Sequence, residues 1–293
     1  MANIICVANQ KGGTGKTTST VSFASYFARH GKRSLILDME PQANATLSVG
    51  LEPSAIDKTM YEVLLGECRL KEVIKKDIFT NLDVAPANVS LANTDINLGG
   101  RPDSQFTLRE SLQPVINDYS YIFIDCPPSL SLLVMNSFAA ADSVLIPLQA
   151  DYLSLEGLAQ LVKSINLAKK HLNPNLRILG ILFCIVMLRQ RIARESIEVV
   201  KKHFGKKVFN AVIKSCVKLK EAAGYGKSIF DYAPLSWGSF NYGSAARELE
   251  ERCMRLMMER GGEKGAASEK WKNSALPEGL KNRMETPFLG TSV

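Results

Sequence analysis

Short apolar runs alternate with longer amphipathic stretches along most of the chain. Residues 4–8, 33–38, 81–86, 121–125, 143–147, 177–185 and 207–213 are compact and largely apolar, which predicts strands buried on both faces. Between them, residues 17–30, 59–65, 70–75, 106–116, 132–140, 155–169, 194–203 and 245–259 read as helices. The clearest is 155–169, where Leu158, Leu161, Val162, Ile165 and Ala168 fall at helical spacing. Glu248/Arg252 and Glu251/Arg255 stand one turn apart on the last helix. Pro41 disfavours a helical Glu40, so residues 41–46 are expected as a loop, and 88–104 shows no clear period. Strands alternating with helices predict an α/β protein, a single doubly wound, mostly parallel sheet with helices on both faces. From Gly261 the chain turns rich in Gly, Ser and charge without an apolar period. The expected partition is therefore one domain over 1–260 and a flexible polar tail over 261–293.

Composition narrows the class. Hydrophobic residues make up 46% and charged residues 22%, as in an ordinary globular protein. The six cysteines lack metal-type spacing, and Cys6, Cys126 and Cys184 sit in or beside apolar runs, so they read as buried thiols of a reducing compartment. A strand that starts almost at Met1 leaves no room for a signal peptide, and no apolar run approaches the length of a membrane span. The expectation is a cytoplasmic protein. The charge of +7 permits a polyanionic partner.

The candidate chemistry begins directly after the first strand. Residues 9–18 read Asn-Gln-Lys-Gly-Gly-Thr-Gly-Lys-Thr-Thr and lead into the first helix. Strand, glycine-rich turn and helix form a phosphate-binding loop, whose backbone N–H groups converge on an anion at the positive end of the helix. Lys11, Gly12, Gly13, Thr14, Gly15, Lys16, Thr17 and Thr18 are the candidate nucleotide contacts. Lys16 suits the β- and γ-phosphates and Thr17 a Mg²⁺ ion. Gln10 occupies the first glycine position of the common loop, and Lys11 adds a lysine at its head. Asp125 ends a buried strand and is the candidate acid behind the metal shell. Asp38 and Glu40 end a neighbouring one, the former to steady the metal and the latter to orient the attacking water.

The spelling K-G-G-T-G-K-T-T resembles the deviant loop of the ParA/MinD ATPases. With the LDMEPQANAT loop, FIDCPPSLSLLVMNSFAAADSVLIPLQADYLSLEGL, KKHFGKKVFNAVI and VKLKEAAGYGKSI, residues 2–258 look like the short ParA/Soj chromosome- and plasmid-partition ATPases. The resemblance implies a P-loop NTPase that uses ATP and Mg²⁺. It implies an ATP-dependent homodimer in which Lys11 crosses to the partner's nucleotide. It further implies non-specific double-stranded DNA binding, nucleoid association, and release after hydrolysis stimulated by a ParB-like protein. Glu40 stands where these proteins usually carry Asp, which predicts slow hydrolysis, since about 1 Å of misplacement can cost roughly a hundredfold. Lys214 and Cys216 replace usual residues near the base, and only Arg189 survives from another family segment.

Apart from the resemblance, residues 189–227 hold eleven Lys/Arg against three Asp/Glu, a net of +8, more than the whole chain's +7. Clustered cations of this kind neutralise phosphates without reading bases. Arg189 and Lys218 align with DNA-contact positions of the family, and Lys201, Lys202, Lys206 and Lys207 are further candidates. Three rivals remain. A MinD-like membrane-cycling ATPase needs a terminal amphipathic helix, and the apolar cluster 284–289 is short and broken by Pro287. No stable membrane association is expected. A nitrogenase-reductase-like carrier needs two cluster cysteines per subunit, and only Cys126 is suitably placed. A nucleotide-gated adaptor for another cargo would carry the same loop.

Overall fold

A computed structural model describes residues 2–262. Residues up to Met254 form one compact unit. A second begins at Arg255, and its described residues are the last turns of the helix Trp237–Gly262. Of the tail expected over 261–293, Gly261 and Gly262 instead end that helix, and 263–293 lie outside the described residues.

The strands are β1 (Asn3–Val7), β2 (Ser34–Asp38), β3 (Lys75–Phe79), β4 (Leu82–Ala85), β5 (Tyr121–Asp125), β6 (Ser143–Gln149), β7 (Arg177–Val186) and β8 (Val208–Lys214). They form one sheet in the order β3-β4-β2-β5-β1-β6-β7-β8. All neighbours are parallel except β3 and β4. This is the predicted doubly wound sheet, with helices packed against it. β5 lies between β1 and β2 in a register that pairs Asp125 with both Val7 and Asp38. Three strand ends therefore stop level along one carboxyl edge, where open α/β sheets place their ligands.

The helix Lys16–Arg29 lies against these central strands. Its inward face carries Phe23 and Phe27, both fully buried. Phe27 stacks on Tyr121 at 4.0 Å between ring centroids, and Phe23 on Phe123 at 6.3 Å. These contacts fix the height of the helix against β5, and so fix its first turn against Asp125.

Several elements depart from the sequence reading. Residues 44–46 are not loop: Asn44–Ser48 is a short helix, whose Thr46 N–H donates to the Asp38 carboxylate at the end of β2. Asp38, at the end of β2 and outside the helix's own capping positions, supplies the acceptor, so local propensity misses it. The helix expected over 70–75 ends at Val73, and Lys75 opens the antiparallel edge strand β3. Residues 89–98 form a 3₁₀ turn and a short helix, and the last helix begins at Trp237 rather than 245 and continues through Gly262. Helices Val217–Gly224 and Ile229–Tyr232 follow β8.

The outer edge of β8 is closed by side chains. Glu248 accepts from the N–H groups of Asn210 and Ala211 at 2.9 Å each. Arg252 pairs with Glu248 at 2.8 Å and donates to the Val208 carbonyl at 2.7 Å. Its guanidinium lies 4.1 Å from the Phe209 ring centroid. Gly180 makes room for this packing, because a Cβ there would come within 2.5 Å of the Phe209 ring.

Candidate active site

The loop after β1 is held before any ligand arrives. Asn9, buried, donates to the Pro147 carbonyl at 2.6 Å and accepts from the Lys11 N–H at 3.0 Å. Gln149 donates to the Gly13 carbonyl at 2.9 Å. Gly13 and Gly15 adopt φ of 72° and 91°, a left-handed conformation that L side chains resist. Gly15 precedes the helix and offers no side-chain cap, so the first N–H groups of Lys16–Arg29 remain available to an anion. Sequence reasoning missed Asn9 and Gln149; an Asn opening a glycine-rich turn is the signal for the first.

The two lysines differ in setting. Lys16 is 7% exposed, and its ammonium lies 3.4 Å from the Lys11 carbonyl. Burial lowers its pKa, while the nearby Asp125 and Glu40 carboxylates raise it again. Lys11 points elsewhere: its ammonium bonds Asp151 at 2.8 Å and Ser154 at 3.3 Å. Asp151 also caps the helix Tyr152–His171 by accepting from the Ser154 N–H.

Asp38 and Asp125 end adjacent strands in register, with Glu40 two residues on, and the three acids stand in different settings. Asp125 is fully buried and accepts from Thr17 Oγ1 at 2.7 Å and Thr20 Oγ1 at 3.2 Å. Burial, then the neighbouring Asp38 carboxylate, pushes its pKa up to about 7. Asp38, equally buried, accepts from the Glu40 N–H at 3.1 Å and from the Thr46 N–H and hydroxyl at 2.8 Å each. Burial raises its pKa as well, against those hydrogen bonds. Both Asp38 oxygens thus serve the loop. Glu40 is 9% exposed, its carboxylate accepts weakly from the Gln42 N–H at 3.5 Å, and burial raises its pKa. Beside it opens a cavity of about 280 Å³ lined by Glu40, Pro41, Leu91, Asp95, Pro127 and Ser131.

Two buried carboxylates side by side, facing a buried ammonium, form a charge cluster that a divalent cation would relieve. Thr17 offers a hydroxyl oxygen whose proton is already committed to Asp125, leaving lone pairs for a metal. With uncapped N–H groups and Lys16 alongside, the donor set fits a polyphosphate carrying Mg²⁺.

Arg189 and Lys218 are exposed just beyond the carboxyl ends of the adjacent strands β7 and β8. Lys218 pairs with Glu221 at 2.8 Å. The other basic candidates are not on that edge. Helix Arg191–Phe204 carries the chain back across the sheet, about 21 Å for its 14 residues. Lys201, Lys202, Lys206 and Lys207 lie at its far end, and the Lys207 ammonium bonds the Ile178 carbonyl at 3.1 Å. The run that is continuous in sequence is thus split between opposite edges. All six cysteines are free, and Cys6, Cys126 and Cys184 are buried as expected. Among the described residues, no helix is long and apolar enough to cross a membrane, and no three His, Cys, Asp or Glu cluster as a metal site.

The family model described as "AAA domain" matches residues 2–178. The chain is 42% identical over 249 residues to the sporulation initiation inhibitor protein Soj of Bacillus subtilis, covering 85% of this chain and 98% of that protein. It is 42% identical over 252 residues to the chromosome partitioning protein ParA of Myxococcus xanthus, covering 86% and 89%. Among solved structures, cobyrinic acid a,c-diamide synthase of Mycobacterium smegmatis, with bound ATP analogue and magnesium, superposes with a TM-score of 0.75. That match has 28% identity and covers 90% of this chain and 98% of the other.

Proposed function

The chain belongs to the ParA/Soj family of partition ATPases, and from that membership we propose an ATP-dependent dimerising switch that holds DNA without sequence preference until hydrolysis releases it. The observation that supports the reading best is the convergence of the loop lysine and three acids at one sheet edge. The N–H groups of residues 12–17 would cradle the ATP phosphates, and Lys16 would balance the charge of the β- and γ-phosphates. Mg²⁺, when bound, would neutralise phosphate charge; Thr17 would hold it through its hydroxyl oxygen, and Asp125 keeps that hydroxyl in place. Asp38 acts one step back, by fixing the loop that carries Glu40. Glu40, which lines the cavity, orients the attacking water.

Lys11 is the residue that makes the site communal. In the single chain it rests on Asp151. Its side chain is 35% exposed and that of Asp151 37%, so the pair is weak and exchange for the partner's phosphates is inexpensive. Arg189 and Lys218 supply phosphate contacts to DNA, and a ParB-like protein stimulates hydrolysis, consistent with the curated relatives' role in chromosome partitioning. A longer acid at position 40 makes the basal rate low.

Light scattering with a slowly hydrolysed ATP analogue tests the dimer. The parent is expected to double in mass and Lys11→Ala to retain analogue binding while staying monomeric. A Lys11→Ala protein that dimerises normally removes the cross-interface role.

A further inference from the structure

Thr46 lies eight residues past Asp38, at the third position of the short helix Asn44–Ser48, and is fully buried. Its hydroxyl is used twice. It donates to Asp38 Oδ2 at 2.8 Å and accepts from the Ala87 N–H at 3.0 Å. Its own N–H donates to the same Asp38 oxygen at 2.8 Å. The other Asp38 oxygen takes the Glu40 N–H at 3.1 Å. Asp38 therefore staples both ends of the segment that carries Glu40, and Thr46 ties that staple to the chain leaving β4. Ala87 opens the stretch whose Leu91 and Asp95 line the same cavity as Glu40. Between the two anchors, Ala43 is held at φ 53° and its N–H bonds the Glu40 carbonyl at 2.8 Å.

We propose that Thr46 is a positioning residue for hydrolysis: its hydroxyl sets where the Glu40 carboxylate stands by locking Asp38 to the backbone of Ala87. The inference rests on the reading of Glu40 as the group that orients water. Thr46 touches neither phosphate nor metal shell directly, and the N–H cradle is built on β1, so nucleotide affinity does not depend on it. Replacing Thr by Val keeps the shape and removes both hydrogen bonds. Asp38 keeps the Glu40 and Thr46 N–H bonds but loses its hydroxyl donor, the Ala87 N–H loses its acceptor, and Asp38 is no longer tied to the chain leaving β4.

Single-turnover ATP hydrolysis and equilibrium binding of a slowly hydrolysed ATP analogue separate the roles. For Thr46→Val, the rate is expected to fall about a hundredfold, the loss a displacement of about 1 Å can cause. Analogue affinity should stay within about threefold of the parent, and Thr46→Ser, which keeps the hydroxyl, should recover most of the rate. A Val variant with parental rate, a matching loss of affinity, or a Ser variant as slow as Val each overturns the proposal. If Val does not fold by circular dichroism, Thr46→Ala replaces it with the same expected result. Failure of both to fold while Ser folds assigns the network to stability alone and also overturns it. Glu40→Ala, measured alongside, tests the underlying reading. If that variant keeps the parental rate, Glu40 is not the water-orienting group; if it is slow while Thr46→Val is fast, only the role of Thr46 fails.

Discussion

At the ends of β1, β5 and β2, Lys16, Asp38, Glu40 and Asp125 are at most 9% exposed; at the ends of β7 and β8, Arg189 and Lys218 stand in solvent. Both groups sit on the carboxyl edge of one sheet. In the first, charges are desolvated, press on one another and shift one another's protonation. In the second, water screens them, and the pairs present, such as Arg191–Glu195 and Lys218–Glu221, link neighbours on one helix. Buried charge has to be placed by dedicated partners, whereas exposed charge need only be numerous. The first region should therefore respond sharply to single substitutions, and the second in small, additive steps.

The largest expected effect is at Lys16. Removing a buried cation that faces two phosphates forfeits charge-assisted bonds worth about 4 kcal/mol together, roughly a thousandfold in Kd. Calorimetry of Lys16→Ala with an ATP analogue checks it, and retention of parental affinity would break the comparison outright. Next is Glu40. Single-turnover rates are expected to drop about a hundredfold in Glu40→Ala and to rise severalfold in Glu40→Asp, whose shorter arm is better fixed. A parent far faster than both shows that the loop has adapted to the longer side chain.

On the exposed side, Arg189→Glu and Lys218→Glu should each weaken binding to unrelated duplexes by about tenfold and reduce the log–log salt slope by about 0.9 for each phosphate left without its cation. ATP-dependent dimerisation should be unchanged. If both variants bind as the parent does, this edge is only a solvated surface. Equal changes at Lys201 or Lys206, on the opposite edge, should have no effect, which sharpens the distinction.

The smallest effect is on stability. Asp125 has a folded pKa of about 7 against an ordinary 3.8, so the folded state binds its proton more tightly than the unfolded chain. That contribution is fully present below the ordinary value and is lost as pH rises through about 7. The Tm of the nucleotide-free protein should fall by about 5 °C between about pH 5 and about pH 8. In Asp125→Asn the decline should be shallower, and scanning calorimetry across that range measures it.

The same contrast decides what is legible in the sequence. Lys16, Thr17 and Asp125 can be read directly, because a phosphate loop and a buried strand ending in an acid are local patterns. The sheet follows from alternation. The employment of Asp38 cannot be read, since its bonds at 40 and 46 depend on how the chain turns after β2, and the tie through Thr46 to Ala87 forms only once β2 and β4 lie side by side. For the same reason residues 41–46 read as loop. Net charge over 189–227 is correct as arithmetic and misleading as geometry, because a helix in the middle carries part of it to the other edge.

The closed edge of β8 has a consequence for crowding. Wherever copies of a protein crowd together, an open strand edge invites neighbours to extend a common sheet. With Glu248 and Arg252 occupying backbone groups of Val208, Asn210 and Ala211, that edge offers no ready template for strand addition. Any association between copies at this end of the sheet would have to come from side chains rather than from a shared ladder of backbone hydrogen bonds.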